Sequence, residues 1–178
     1  EKLLNVRSKR VAPGLDDKIL TSWNSLMITA FAKGYHVTGE TKYLDAAKNC
    51  VSFIEKNLLS GDKLLRTYKN NTAKINGYLE DYSYFANALL DVFEIESESK
   101  YLDLALKLGY YLVDHFWDSE NSSFFMTSDD HEKLIIRPKS NYDLSLPSGN
   151  SVSCFVMLRL FHLTQEEKFL KIATQIME

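Results

Sequence analysis

An all-α fold of paired helices is predicted by three observations: a threefold internal repeat, six stretches of helical apolar spacing, and short polar turns inside each repeat. The repeat is legible residue by residue. Trp23-Asn24-Ser25 is followed by Thr38-Gly-Glu-Thr-Lys-Tyr43-Leu44-Asp-Ala-Ala47. Asp81-Tyr82-Ser83 is followed by Glu96-Ser-Glu-Ser-Lys-Tyr101-Leu102-Asp-Leu-Ala105. Gly149-Asn150-Ser151 is followed by Thr164-Gln-Glu-Glu-Lys-Phe169-Leu170-Lys-Ile-Ala173. The distance from each opening to its aromatic-Leu pair is constant, so insertions fall between units and never inside them.

Each unit reads as an αα-hairpin. The first helix is expected from about Asp17 to Val37, with Ile19, Trp23, Leu26, Met27, Ala30, Phe31 and Tyr35 at helical spacing. The second runs from about Thr41 to Leu58 on a stripe of Leu44, Ala47, Val51, Ile54 and Leu58. The third starts near Leu79 and carries Phe85, Ala88, Leu89, Val92 and Phe93. The fourth, from Ser99, carries Leu102, Ala105, Leu108 and Leu112. The fifth starts near Ser148 with Val152, Phe155, Val156 and Leu160; the sixth has Leu170, Ala173 and Ile176. Thr164 and Glu167 have the spacing of a capping box. The three hairpins are expected at about 17–58, 79–116 and 148–178. Matched Ala47, Ala105 and Ala173 suit close helix approach. The crossovers carry two expected β-hairpins. One is around Lys63–Tyr68 with a turn at Lys69-Asn-Asn-Thr. The other pairs Ser123–Thr127 with Lys133–Arg137 across Ser128-Asp-Asp-His.

Tetratricopeptide-type solenoid repeats are near 34 residues, far shorter than these. Hairpins this long with decorated crossovers suit a ring whose inner helices line a central cavity. Six helices supply three of six hairpins, about half of an (α/α)6 toroid. The last helix ends inside its own apolar pattern at Met177-Glu178. Two ways of completing the ring are therefore expected: the remainder of a longer polypeptide, or self-association of the half-ring.

Composition narrows the partners. The chain has 178 residues, enough for a sizeable core, with 21 Lys and Arg against 24 Asp and Glu for a net charge of -3. That balance argues against wholesale binding of nucleic acid or an anionic membrane. No apolar run is long enough to cross a bilayer, and Glu1-Lys-Leu-Leu-Asn has no signal-peptide character. Cys50 and Cys154 are isolated in apolar helical patterns and read as reduced core thiols, which points to the cytoplasm. There is no Cys-x-x-Cys, no His-x-x-x-His among His36, His115, His131 and His162, and no phosphate-binding glycine loop. No metal and no cofactor are expected.

Polar residues gather at the start of each odd-numbered helix. The first cluster holds Arg10, Asp16, Asp17, Lys18, Trp23 and Asn24; the second Glu80, Asp81 and Tyr82; the third Asp143, Ser148, Asn150 and Ser151. In a hairpin ring these entries converge on one mouth. Amides and carboxylates bind hydroxyls directionally and aromatic rings cover apolar C–H faces, so the set suits a sugar or sugar phosphate. Asp17 and Asp81 are the candidates for acid–base work. Arg10 and Lys18 would hold an anionic or hydroxyl-rich group, with Asp16, Trp23, Asn24, Tyr82, Ser148 and Asn150 as further binding residues. Taken singly, each acid also fits the plainer role of a helix cap, and Trp23 the role of a core residue. The combined expectation is a carbohydrate-active toroid, epimerase/isomerase-like or hydrolase-like. The alternative is a non-catalytic scaffold.

The run Lys9-Arg10-Val-Ala-Pro13-Gly-Leu-Asp16-Asp17-Lys18-Ile-Leu-Thr-Ser-Trp23-Asn24-Ser25-Leu-Met resembles the signature of the YyaL family, which includes spermatogenesis-associated, thioredoxin-domain-containing proteins. Its Asp-Tyr motif is matched at Asp81-Tyr82 and its Pro-Ser-Gly-Asn-Ser motif at Pro147–Ser151. The resemblance implies a helical toroid similar to the N-acylglucosamine 2-epimerase and six-hairpin glycosidase folds, here without the family's thioredoxin-like domain. It also implies a departure at Ser25, where the family usually has Gly. Epimerases of the similar fold use cavity histidines, and none of the three motifs holds one.

Overall fold

A computed structural model describes residues 1–132 and 135–178. A short exposed helix, α1 (Lys2–Arg7), precedes three helical hairpins. These are α2 (Thr21–Thr38) with α3 (Thr41–Leu58), α4 (Leu79–Glu96) with α5 (Ser99–His115), and α6 (Gly149–Thr164) with α7 (Glu167–Met177). Helix α4 packs against α2 on one side and α6 on the other, so α2, α4 and α6 form the inner row. Helices α3, α5 and α7 back them.

The turn inside each hairpin explains the sequence repeat. Each inner helix ends on a left-handed residue: Gly39 (φ +70°), Ser97 (φ +55°) and Gln165 (φ +60°). That conformation lets the cap N–H bond back into the last turn, to Tyr35, Phe93 and Phe161. A Glu-x-Lys-aromatic segment then opens each outer helix. Glu40, Glu98 and Glu166 pair with Lys42, Lys100 and Lys168. The same lysines lie over Tyr43, Tyr101 and Phe169. Exposed pairs of this kind contribute at most about 1 kcal/mol each. What holds the hairpins together is burial of Ala47, Ala105 and Ala173 at the helix contacts, with Ile54, Leu89, Leu108, Met157 and Phe169 around them. Each large apolar side chain contributes roughly 1.5–3 kcal/mol.

Several sequence expectations are corrected. The first helix begins at Thr21, because Ile19–Leu20 form β1 and pair with Thr67–Tyr68. The Thr164–Glu167 capping box does not form. Thr164 closes α6 with its hydroxyl donated to Leu160 O, and Glu166 precedes α7 without a side-chain cap. The first rim hairpin is present as β3 (Lys63–Lys69) and β4 (Thr72–Asn76), closed by left-handed Asn70 and Asn71. Its outer neighbours are β1 and β2 (Leu59–Ser60), each antiparallel to β3. In the second crossover, Ser123–Phe124 (β6) pairs instead with Trp117–Asp118 (β5). Phe124 thereby enters the core. Residues 133–134 of the expected partner strand lie outside the described residues, and Ile135–Arg137 are not in a strand. Ser25 is fully buried and donates its hydroxyl to Thr21 O.

One buried carboxylate ties the first two inner helices to the rim sheet. Asp81 Oδ1 accepts the Ser22 N–H at 2.9 Å, in the first turn of α2. Its Oδ2 accepts the Tyr78 N–H at 2.9 Å and the Arg66 guanidinium at 3.0 Å. Asp81 is fully buried, and burial pushes its carboxyl pKa up against the Arg66 charge and these donors. Removing the carboxylate orphans two backbone donors and the β3 arginine. Asp81→Ala is therefore expected to lower the unfolding free energy by about 3 kcal/mol in urea titration. A loss inside the roughly 0.5 kcal/mol of ordinary surface changes would contradict that role. At the second turn, Ser97→Gly relieves a left-handed strain that Gly39 does not suffer. A gain of roughly 0.5–1 kcal/mol in the same assay is expected.

Candidate functional site

The inner helices present their N-termini to the side carrying the β-hairpin and the long crossover. There the 140–148 segment folds back over the starts of α2 and α4 and leaves a cleft of about 190 Å³. Ser22 and Trp23 come from α2, Glu80 and Tyr84 from α4, and Arg66 from β3; Tyr142 and Leu144 come from the 140–148 segment. Trp23 is 60% exposed, so its ring is presented to solvent and not to the core. Tyr142, which also lines the cleft, is 81% exposed. The volume falls below the roughly 300–1,000 Å³ of small-molecule sites, as half of a lumen would.

The cleft is built by packing and capping. Tyr84 is buried and donates its hydroxyl to Pro147 O, fixing the 140–148 segment against α4. Burial, with the negative charges of Glu80, Asp143 and Asp81, pushes the Tyr84 phenol up to about 12. Asp143 accepts the Ser148 N–H at 2.6 Å and the Ser151 hydroxyl at 2.9 Å, which holds its carboxyl below the usual range. Ser148 Oγ accepts the Ser151 N–H and caps α6. Asn150, 2% exposed, accepts the Phe124 N–H and donates to Phe124 O and Ser140 O.

The structure divides the residues expected from sequence. Trp23 and Ser148 line the cleft. Trp23 is thus a surface residue and not the core residue its apolar helix face suggested. Asp81 and Asn150 sit behind the cleft wall with their polar atoms committed to backbone partners. Tyr82 points into the core, where it stacks on Tyr111 at 4.8 Å and its hydroxyl accepts the Leu64 N–H. Asn24 donates to Leu20 O, the residue that precedes α2. Asp16 pairs with Lys18 and Asp17 with Lys69 on the exposed rim. The Lys18 hydrogen bond holds the Asp16 carboxyl below its ordinary range, and the Lys69 hydrogen bond does the same for Asp17. Arg10 is exposed on the segment before β1. Neither candidate acid–base carboxylate lines the cleft. Asp81 is walled off by burial, and Asp17 is turned toward the β3–β4 hairpin by its lysine.

Of the lining residues, Arg66, Tyr84 and Tyr142 escaped prediction as binding groups, and Glu80 was named only as a member of the polar cluster at the start of its helix. A signal for two of them was present. Glu80, Tyr84, Asn87, Asp91 and Glu94 recur at alternating steps of four and three on the most buried helix. The lower part of this polar stripe is bridged to α6 by Arg159. Its guanidinium reaches Asn87 Oδ1 at 2.6 Å, Asp91 at 2.9 Å and Glu94 at 2.7 Å.

One metal-like group exists among the described residues. His115, Asp129 and Asp130 place ligand atoms within 4.8 Å of one another. His115 Nδ1 is bonded to Asp129, and Asp130 takes Lys63 at 2.6 Å plus the Ser128 and Tyr111 hydroxyls. Burial would raise the Asp130 carboxyl, but these partners outweigh it and bring it to about 2. The cluster is a hydrogen-bonded lock between α5, β3 and the 128–130 turn. No helix among the described residues is long and apolar enough to cross a membrane.

No family model matches the chain. It is 33% identical to Homo sapiens spermatogenesis-associated protein 20 over 92% of its own length and 22% of that protein. The chain spans about a quarter of the length of the curated relatives it matches. Among solved structures it is similar to cellobiose 2-epimerase from Bacillus thermoamylovorans B4167. The TM-score is 0.76 at 12% identity, over 91% of this chain and 44% of that one. It also matches the GH76A α-1,6-mannanase from Salegentibacter sp. HEL1_6, with a TM-score of 0.72 at 16% identity, over 98% and 49%. Both matches take nearly all of this chain and under half of the other, which is the geometry of half an (α/α)6 toroid. The chain belongs to the family of spermatogenesis-associated protein 20 and forms three helical hairpins of its toroid.

Proposed function

We propose that the cleft at the N-termini of α2, α4 and α6 binds a sugar, as part of a carbohydrate-active toroid completed by the remainder of the longer protein. The observation that carries this reading is Trp23. A tryptophan in the first turn of an inner helix, exposed in a cleft it lines with Glu80, Arg66, Tyr84 and Tyr142, combines a stacking face with directional polar groups. Pyranose recognition needs that combination. The similar toroids support it at the level of the fold: they include a sugar epimerase and a mannanase, and an inactive variant of the latter was solved with α-1,6-mannotriose. The reaction stands as epimerase/isomerase-like or glycosidase-like. The unpaired Cys50 and Cys154 accord with a reducing, cytoplasmic setting.

A second reading, a non-catalytic scaffold serving a thioredoxin-like domain, draws on different atoms. Asp81 and Asn150 are committed to backbone partners, as a purely structural mouth requires. The open cleft and the exposed Trp23 favour the sugar reading over it. The exposed apolar side chains of Met27 and Phe155 on the inner helices also suit the remainder of the ring, or a second copy of this chain in its absence.

Isothermal titration of the full-length protein with mannose, glucose and cellobiose separates the readings. Saturable binding of at least one sugar is expected, weakened about tenfold by Trp23→Ala through loss of the stacking face. Binding that Trp23→Ala leaves unchanged would remove this cleft as the site.

A further inference from the structure

We propose that the face of the first hairpin turned away from α4 is a helix seam, and that its occupant is the inner helix of the adjoining hairpin of the same toroid, supplied by the remainder of the longer polypeptide. The proposal stands on the internal repeat and is independent of the sugar-binding reading.

The repeat gives the three inner helices one common register. Trp23, Asp81 and Gly149 share a position in it, and steps of four, seven and eleven residues from each stay on one helix face. On α4 that row is Phe85, Ala88 and Val92; on α6 it is Ser153, Val156 and Leu160. All six are fully buried. In both helices the row turns toward the preceding unit. Asp81 accepts the Ser22 N–H at the start of α2. Gly149 lies against the Leu79 side chain of α4, and Leu160 packs on Gly109 of α5, where a Cβ would come within 2.4 Å of it.

On α2 the same row is Met27, Ala30 and Gly34, and it is open. Met27 is 48% exposed, Ala30 is exposed and Gly34 is half-buried. The outer helices repeat the contrast. Tyr101 and Leu104 of α5 are buried, as are Phe169 and Ile172 of α7, whereas Tyr43 and Ala46 at the same positions of α3 are half-buried. Inner helix α4 packs against two inner helices; among the described residues α2 packs against α4 alone. The first unit therefore shows, on both of its helices, the surface that the second and third units bury against a preceding hairpin.

The seams already formed give the chemistry of the occupant. Leu79 meets Gly149 across the α4–α6 seam, and Ser83, Ala86 and Leu90 continue its face, all buried. At the same positions of α2, Ser25, Ile28 and Ala32 are buried as well. The occupant is thus a helix presenting small and aliphatic residues at steps of three and four, matched to the low relief of Ala30 and Gly34. Its source is the same polypeptide. This chain makes up 44% of the similar epimerase toroid and 22% of the human relative, which leaves the length for the adjoining hairpin. Trp23 heads the row at the cleft, so that hairpin also borders the cleft there.

The test uses the full-length protein and reads Met27 twice. In hydrogen peroxide, followed by peptide mass spectrometry, Met27 is expected to oxidise at least tenfold more slowly in the native protein than in urea, as the fully buried Met157 does. With photo-methionine incorporated for methionine, irradiation is expected to join position 27 to a helix of the same polypeptide outside residues 1–178. Met27 that oxidises at its unfolded rate while Met157 stays protected overturns the proposal. A photo-adduct confined to residues 1–178, one to a second polypeptide or one to a thioredoxin-like domain does the same, as does quenching by water with no adduct. Each of these results leaves the sugar reading to its own titration.

Discussion

The Asp81 carboxylate is the point on which the mouth of this half-ring depends. Its three hydrogen bonds reach the N-terminus of α2, the N-terminus of α4 and the rim strand β3. A helix N-terminus leaves backbone donors unsatisfied, and two such ends meeting in the interior would be costly without an anion between them. Asp81 is that anion. It holds Arg66 at 3.0 Å in the same act, with Glu80 at 3.7 Å from the same nitrogen. The second and third units meet through a related arrangement, in which Asn150 ties the start of α6 to Phe124 and Ser140.

The two layers of the sequence repeat thus have separate physical origins. The Glu-x-Lys-aromatic segments recur because each inner helix stops on a left-handed residue and restarts as its outer partner two residues later. The openings diverge because their first residues do different work. Trp23 faces the cleft, Asp81 joins elements beneath it, and Gly149 lets α6 approach Leu79 where a Cβ would come within 2.7 Å of that side chain. Divergence at the mouth is therefore partly function and partly assembly.

The repeat, the six helices and the half-ring were legible because they rest on apolar periodicity and on Ala47, Ala105 and Ala173, which recur in register. The site was legible only in part. Capping acids and binding acids share one vocabulary at a helix start, so Asp81 and Asn150 read as ligand groups though they serve the backbone. Trp23 read both as a binding residue and, through its shared spacing with Met27 and Phe31, as core, and only the position of the neighbouring helices decides that its face is exposed. Arg66 and Tyr142 come from crossovers that carry no repeat, and nothing in their local sequence marks them. Tyr84 was hidden by the strength of the apolar pattern on α4, while Glu80 was legible as part of the polar cluster at the start of that helix.

The proposed function makes Trp23 the sugar-facing surface of a cleft held open by buried carboxylate and amide contacts. The chain contains two tryptophans, and Trp117 packs against Phe124 in the rim away from the cleft lining. The most direct measurement is Trp23 fluorescence in full-length protein in which Trp117 and any tryptophans outside this segment are replaced by Phe, during titration with the sugar that binds. A saturable change in emission at the same midpoint as calorimetric binding is the predicted result. Emission that stays constant through a complete binding isotherm would contradict it.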